Sequence, residues 1–310
     1  MRLLNWFKGL LLAGLLAGLA ACGGGSGSSP NLVDLARSDA RFSVLAEALT
    51  TAELDATLGS AGPYTLFAPT DAAFAALLTE LNLTKAQLFA DKALLRAVLQ
   101  YHVLAGEVPR ASVPLGKAVA PLGGGFFKVD GQGGTLVVTD GRNRKAGVTQ
   151  TDLVATNGLL HVVDKVLLPA DKNLVQTAQS LPQFSVLVEA VVAAGLQDAL
   201  AAPGPLTVFA PTNDAFAALL AELGVSKAAL LADKPLLTKV LTYHVLPGRV
   251  LKADVPVNAP VTTLQGGSFT VSPALAITDQ RGRRASITAT DVFASNGVIH
   301  VIDKVILPSP

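Results

Sequence analysis

The 310-residue chain contains one cysteine, one methionine and one tryptophan, and all three fall within its first 22 positions, as Cys22, Met1 and Trp6. Beyond Cys22 there is no thiol, so no disulfide can staple the fold and stability has to come from packing. The same absence excludes a cysteine nucleophile and leaves little sulfur to oxidise. Charge is also scarce: 15% of residues are charged and the formal net charge is +1. Removing residues 1–21 takes away Arg2 and Lys8 and no acid, so 24 basic side chains become 22 against 23 acidic ones. A chain this close to neutrality has no electrostatic footprint for nucleic acid. Half of the chain is hydrophobic, which supports large cores and excludes disorder. The length fits about two domains.

Residues 1–21 read as a targeting segment. Arg2 and Lys8 form a short positive region, and Gly9–Ala21 is an uncharged apolar run too short for a permanent span. The run ends Leu19-Ala20-Ala21-Cys22, which resembles a bacterial lipobox: a small residue before cleavage, then a cysteine whose thiol takes diacylglycerol. That assigns 1–21 to a lipoprotein signal peptide and Cys22 to lipidation. The plainer alternative is an ordinary signal peptide with an incidental cysteine. Residues 22–30, ending GGGSGSSP, then form a lipidated flexible tether. Gly23, not an acidic residue, follows the cysteine, a pattern that favours the outer membrane in a host with two membranes. The expected location is exported, anchored to the cell envelope and facing the periplasm or the cell surface.

The rest of the chain says everything twice. Thr65–Phe74 reads TLFAPTDAAF, and Thr207–Phe216, 142 positions on, reads TVFAPTNDAF. Each copy predicts a buried strand ended by a proline, Pro69 or Pro211. A helix follows, capped by Thr70 or Thr212, with Asp71 or Asp214 in its first turn. Upstream, NLVDLARSDARFSVLAEAL at 31 and NLVQTAQSLPQFSVLVEAV at 173 predict amphipathic helices burying Phe42, Leu45 and Leu49, or Phe184, Leu187 and Val191. Downstream, helical segments at Thr84–Ala90 and Asp91–Tyr101, and at Ser226–Ala232 and Asp233–Tyr243, stop at a Tyr-His pair. The period then changes to that of strands: hairpins around DGQGG and the shorter SP turn, basic turns, and strands through Val148–Ala155 and Ile287–Ala294. An Asn-Gly turn and a closing strand end each copy at Pro169 and Pro308. The domains are expected at 31–170 and 171–310. Only Ala170–Lys172 lies between the repeats, so their relative orientation is expected to be restricted.

Three motifs in this order, the FAPT–Phe box, the Tyr-His pair and the NGxxHxxDxVLxP box, resemble the fasciclin-type domain. The resemblance covers about 31–169 and 173–308. It implies an α+β fold, each domain a twisted β-sandwich or wedge packed against a group of helices. It also implies adhesion: such domains commonly bind matrix components, cell-surface proteins or polysaccharide. The adhesion-linked positions of animal relatives match Tyr101 and His102, Tyr243 and His244, Asp152 and Leu153, and Asp291 and Val292. The aliphatic partner of the aspartate, often isoleucine in the family, is Leu or Val here.

All four histidines occur as matched pairs, His102 with His161 and His244 with His300. With Asp164 or Asp303 they suggest a metal site or an acid–base pair. The bland reading is a buried ring that fixes the helix end against the closing strand, and it is preferred, because Asp164 falls on the opposite strand face from His161. No metal or other cofactor is expected. No GxSxG elbow is present, and Gly123–Gly125 lacks the Lys-Ser/Thr and helix that cradle phosphate, so catalysis is not expected. The basic turns place Arg142, Arg144 and Lys145, and Arg281, Arg283 and Arg284, at equivalent hairpin positions. They read either as anion-docking tips or as solvated gatekeepers against edge pairing. The expected function is surface adhesion, with avidity from two modules. The alternatives are an apolar ligand in a helix–sheet cleft, or an architectural role in the envelope.

Overall fold

A computed structural model describes residues 29–310; the leader, Cys22 and most of the tether lie outside them. The first repeat opens with α1 (Leu32–Ser38), α2 (Ser43–Thr51) and the short α3 (Asp55–Gly59). Strand β1 (Tyr64–Pro69) then runs into α4 (Asp71–Leu81), α5 (Lys85–Ala90) and α6 (Lys92–Tyr101). Six strands complete the repeat: β2 (Val103–Ala105), β3 (Ala118–Val119), β4 (Phe127–Gln132), β5 (Thr135–Thr139), β6 (Lys145–Ala155) and β7 (Gly158–Val163).

The second repeat follows the same order. Its helices are α7 (Leu174–Gln179), α8 (Ser185–Ala194), α9 (Gln197–Ala201), α10 (Asn213–Leu223), α11 (Lys227–Ala232) and α12 (Lys234–Tyr243). Strand β8 (Leu206–Pro211) precedes α10, and β9 (Val245–Pro247) and β10 (Pro260–Thr262) follow α12. The repeat ends with β11 (Ser268–Val271), β12 (Ala276–Thr278), β13 (Arg284–Ala294) and β14 (Gly297–Ile302).

Each repeat forms one seven-stranded sheet, ordered β2-β1-β7-β6-β5-β4-β3 in the first and the equivalent in the second. Only β1 and β7, and β8 and β14, pair in parallel; every other neighbour is antiparallel. The alternation of side chains along β1 feeds two cores. Leu66 and Ala68 face the helices, with Leu45, Leu49, Phe74, Leu95 and Leu160. Phe67 faces the other way, into a cluster with Tyr101, Phe127, Val138 and Val163 that the curling sheet closes over itself. The expected α+β wedge with packed helices is the fold observed.

The strand-to-helix joint forms as its residues predict: the Thr70 and Thr212 hydroxyls accept from the Ala73 and Ala215 amides at 3.2 and 3.3 Å. The first amphipathic run is not one helix. Asp39 ends α1 with extended backbone and caps a 3₁₀ turn at Ala40–Phe42 by accepting from the Arg41 amide. The closing strand is shorter than its apolar pattern predicts. It stops at Val163 because the next segment gives its amides to side chains: Leu167 to His102 Nε2 at 2.8 Å and Leu168 to Asp140 Oδ2 at 3.0 Å.

Asn157 anchors the return of the chain. Its Oδ1 accepts from the Leu32 amide at 2.9 Å, and its Nδ2 donates to the carbonyls of Leu58 and Ser60 at 2.6 and 2.8 Å. Gly158 follows at φ 148°, where a Cβ would lie 1.8 Å from the Tyr64 carbonyl oxygen. Asn296 makes the matching bonds to Leu174, Leu200 and Ala202 in the second repeat. Replacing Asn157 with alanine strands these buried groups and is expected to destabilise the protein by about 3 kcal/mol. Urea denaturation is the measurement; a change within error would show that the three bonds are dispensable.

Candidate functional site

Helix α6 ends on Tyr101 and is C-capped by His102, and both side chains are fully buried. His102 donates from Nδ1 to the Val98 carbonyl at 2.7 Å and accepts the Leu167 amide on Nε2. Both ring nitrogens are therefore occupied and the ring is neutral. The Tyr101 hydroxyl donates to the Phe126 carbonyl, and its ring packs edge-on against Phe127 at 5.8 Å. Tyr243 and His244 repeat this, with the tyrosine donating to Ser268 at 2.8 Å and the histidine accepting from Ile306 at 3.1 Å. These pairs, named as candidate adhesion positions, are buried and position the strand and helix around them. Among the described residues, no group of three or more His, Cys, Asp or Glu side chains is placed to hold a metal ion.

Asp152 and Leu153 sit on a bulge of β6, and Asp291 and Val292 on the same bulge of β13. Both aspartates adopt φ 60°, a left-handed conformation that needs local compensation. The compensation comes from the second histidine. The Asp152 amide donates to His161 Nδ1 at 3.1 Å, and His161 Nε2 donates to the Val108 carbonyl at 2.9 Å. Asp152 Oδ1 accepts from the Arg110 amide at 2.9 Å, so bulge, histidine and the loop after β2 form one unit. Asp164 is not its partner: that carboxylate accepts the Gly147 amide. The structure thus joins Asp152 with His161, and keeps Tyr101 and His102 apart from them at the helix end.

The bulge face of the second domain is covered by the first domain. Phe126, just before β4, inserts between Phe293, at 4.7 Å between centroids, and the Arg249 guanidinium, 3.9 Å above its ring. Leu251 and Val298 complete this buried cluster. Lys128 on β4 reaches Asp291 Oδ2 at 2.7 Å, with the two side chains 13% and 4% exposed. Asn143, in the turn between β5 and β6, donates to the Phe293 carbonyl at 3.0 Å and accepts the Phe293 amide at 2.6 Å. Burial works against the Lys128 ammonium, but the hydrogen bonds and charges of Asp291 and Asp130 together outweigh it and the pKa is raised. Burial lowers the pKa of Arg249, which stacks on Phe126 instead of pairing with an acid. The two domains are therefore latched by an ion pair, an amide clamp and an aromatic plug. The sequence reading missed Phe126, Lys128, Asn143 and Arg249. The available signal was the difference between the copies, since the second repeat has Ser268, Thr270 and Gly282 where the first has Phe126, Lys128 and Asn143.

The basic turns do not present three free cations each. Arg144 pairs with buried Asp140 at 2.9 Å and with Glu80 at 2.7 Å. Arg283 pairs with Glu222 at 2.7 Å and donates to the Val305 carbonyl. Arg142 pairs with Asp171 at 3.2 Å, and Arg281 donates to the Pro308 carbonyl at 2.9 Å. Asp140 and Asp279 organise these turns by accepting backbone amides on both sides, and Arg144 and Arg283 turn inward. Lys145, Arg281 and Arg284 remain exposed.

Two measurements probe this arrangement. Burial depresses the pKa of His102 and of His244 to about 4. Their neutral-state stabilisation is complete above the ordinary histidine value of 6.5 and is lost as the pH falls toward 4. In that window unfolding takes up one proton per histidine, a slope of about 1.4 kcal/mol per pH unit each. Thermal melting across the window is expected to show the decline, and His102→Gln to make it shallower; equal slopes would exclude His102 as a source. Separately, Lys128→Ala leaves Asp291 buried without its ammonium, at an expected cost of about 3 kcal/mol. Calorimetry should then resolve two transitions, and Lys128→Met with Asp291→Asn should merge them again. A single unchanged transition in Lys128→Ala would rule out the ion pair as a latch.

Among known proteins, a family model described as "Fasciclin domain" matches residues 40–169 and 182–308. Protein sll1483 of Synechocystis sp. is 46% identical over 150 residues, covering 47% of this chain and 79% of that protein. Human periostin is 30% identical over 271 residues, 84% of this chain, and the matched region is 30% of periostin's length. Among solved structures, a FAS1 domain pair from the insect cell adhesion molecule fasciclin I aligns with a TM-score of 0.44 at 20% identity, covering 86% of this chain and 97% of that one. With both halves matched, each on its own seven-stranded sheet, the chain belongs to the fasciclin-domain family and carries two copies of the domain.

Proposed function

We propose that this is a lipid-anchored envelope protein that binds other surface molecules, protein or polysaccharide, and catalyses nothing. The observation that carries the reading is where its polar chemistry goes. The tyrosines, histidines and inner arginines of the motifs are consumed in internal hydrogen bonds, so recognition falls to the surface of a latched domain pair. Fasciclin-type domains commonly serve adhesion, which supports the same reading. Among the described residues no helix is long and apolar enough to cross a membrane, so attachment is assigned to Cys22. Avidity from two equivalent Asp-aliphatic positions is not part of it, because Asp291 lies under the first domain.

The second reading, an apolar ligand between helices and sheet, has one feature in its favour. The second domain holds a cavity lined by Leu174, Val191, Val208, Leu241 and other apolar residues. It arises where Leu49 and Leu66 of the first domain are replaced by Val191 and Val208. Its volume is about 40 Å³. Ligand sites run to roughly 300 Å³ or more, so this is a packing defect and not a lipid site.

Soluble protein comprising 24–310 is expected to bind a fraction of its host's envelope saturably, and full-length protein with Cys22→Ser to leave the membrane pellet. The absence of saturable binding to every fraction would end the adhesion reading. Retention of the Cys22→Ser protein in the pellet would end the anchor.

A further inference from the structure

The two bulge faces are built alike and used differently. Asp152 and Asp291 share φ 60°, and each takes a backbone amide on Oδ1, from Arg110 at 2.9 Å and from Lys252 at 2.8 Å. Each gives its own amide to a histidine Nδ1. These bonds aim the second carboxylate oxygen away from the domain. On Asp291 that oxygen holds the Lys128 ammonium at 2.7 Å. On Asp152 no donor among the described residues reaches it, and the residue is exposed. Val154, at the position of the buried Phe293, is 73% exposed. Leu115, 50% exposed, lines with Arg110, Leu136 and Asp152 an open depression of about 530 Å³.

We propose that the bulge face of the first domain is a docking site for the edge hairpin of a fasciclin-type domain on a different chain, which brings a lysine to Asp152 Oδ2 and an aliphatic side chain onto Val154. The proposal rests on the surface-binding reading and names its partner. The occupant is argued from the molecule itself, because the equivalent face already accepts such an edge, through Phe126, Lys128 and Asn143. A second copy of this chain does not fit. Its free edge, on the second domain, offers Ser268, Thr270 and Gly282, which supply no ring, ammonium or amide. Glu107 stands where the second domain has Arg249, so the guanidinium lid over an aromatic ring is replaced by a second acid. Arg110 turns its guanidinium onto the Gly134 carbonyl. Two carboxylates flanking an exposed aliphatic residue favour a basic, aliphatic edge over an aromatic one.

The test gives this chain the edge it lacks. Ser268→Leu, Thr270→Lys and Gly282→Asn are combined in the 24–310 protein. Gly282 has φ 72° and Asn143 already tolerates φ 64°, so the asparagine fits its turn. An edge that docks on the face of the next copy makes a heterologous contact that does not close. The weight-average mass in sedimentation is then expected to at least double as concentration is raised, while the parent stays unchanged. Adding Asp152→Asn should weaken the association at least about tenfold. A folded triple variant that remains as small as the parent overturns the proposal, as does association that ignores Asp152→Asn. Should the triple variant not fold, the labelled parent is titrated with the peptide GGLFKVD, the sequence of residues 124–130 with leucine in place of Phe126. Amide shifts at Asp152 and Val154, absent in Asp152→Asn, support the site; none at millimolar peptide overturns it. Envelope binding by the parent is scored separately, so loss of this site leaves the adhesion reading standing, and the reverse.

Discussion

A buried backbone amide that has left a strand must find another acceptor, and in this fold side chains supply it. After β7 the chain turns from the sheet while still inside the core, and Leu167 and Leu168 would be left with unpaired N–H groups. His102 and Asp140 take them. Because His102 is also the C-cap of α6, the same ring ties the helix layer to the end of the sheet. Asp140 binds the turn between β5 and β6 at the same time, through the amides of Arg142 and Arg144. Two side chains thus hold three otherwise separate segments. In a chain without disulfides this is what closes the wedge over its second core.

The same logic explains the strained aspartates. A bulge in β6 frees the Asp152 amide from the ladder, and His161 accepts it. The left-handed backbone that results aims the carboxylate outward. Bulges often re-aim a side chain at a functional edge, and this one does so twice in one chain. The histidines of this chain are therefore positioning residues: in each domain one closes the core and the other sets the direction of a carboxylate.

Duplication made two equivalent domains, and a small number of side chains made them unequal. Phe126, Lys128 and Asn143 weld the first domain to the second, while Ser268, Thr270 and Gly282 leave the far edge inert. Identical edges and identical faces on both repeats would let copies add to one another without end, since a head-to-tail contact does not close. Polar or small residues on the terminal edge stop that growth, as terminal units do in repeat proteins. The covered Asp291 and the open Asp152 follow from this arrangement, and a protein with two family motifs presents one such face.

Much of this was legible from local residue pattern. The N-caps Thr70 and Thr212, the helix ends at Tyr101 and Tyr243, the hairpins and the Asn-Gly turns all act within a few residues, so the sequence contains their causes. The repeat offset and the three ordered motifs sufficed to identify the domain type. Other features are set by residues far apart along the chain. The early end of β7 depends on His102, some 65 positions away from Leu167, and the latch joins Asn143 to Phe293 across 150 positions. Nothing near Arg144 announces that Glu80, 64 positions away, will pair with it, and nothing near Tyr101 announces complete burial. The sequence by itself determined the elements, their order and their duplication, because those obey short-range rules of capping, turn geometry and periodicity. Only the tertiary structure decided which polar groups are consumed inside and which carboxylate is left facing solvent, because long-range packing sets desolvation and pairing.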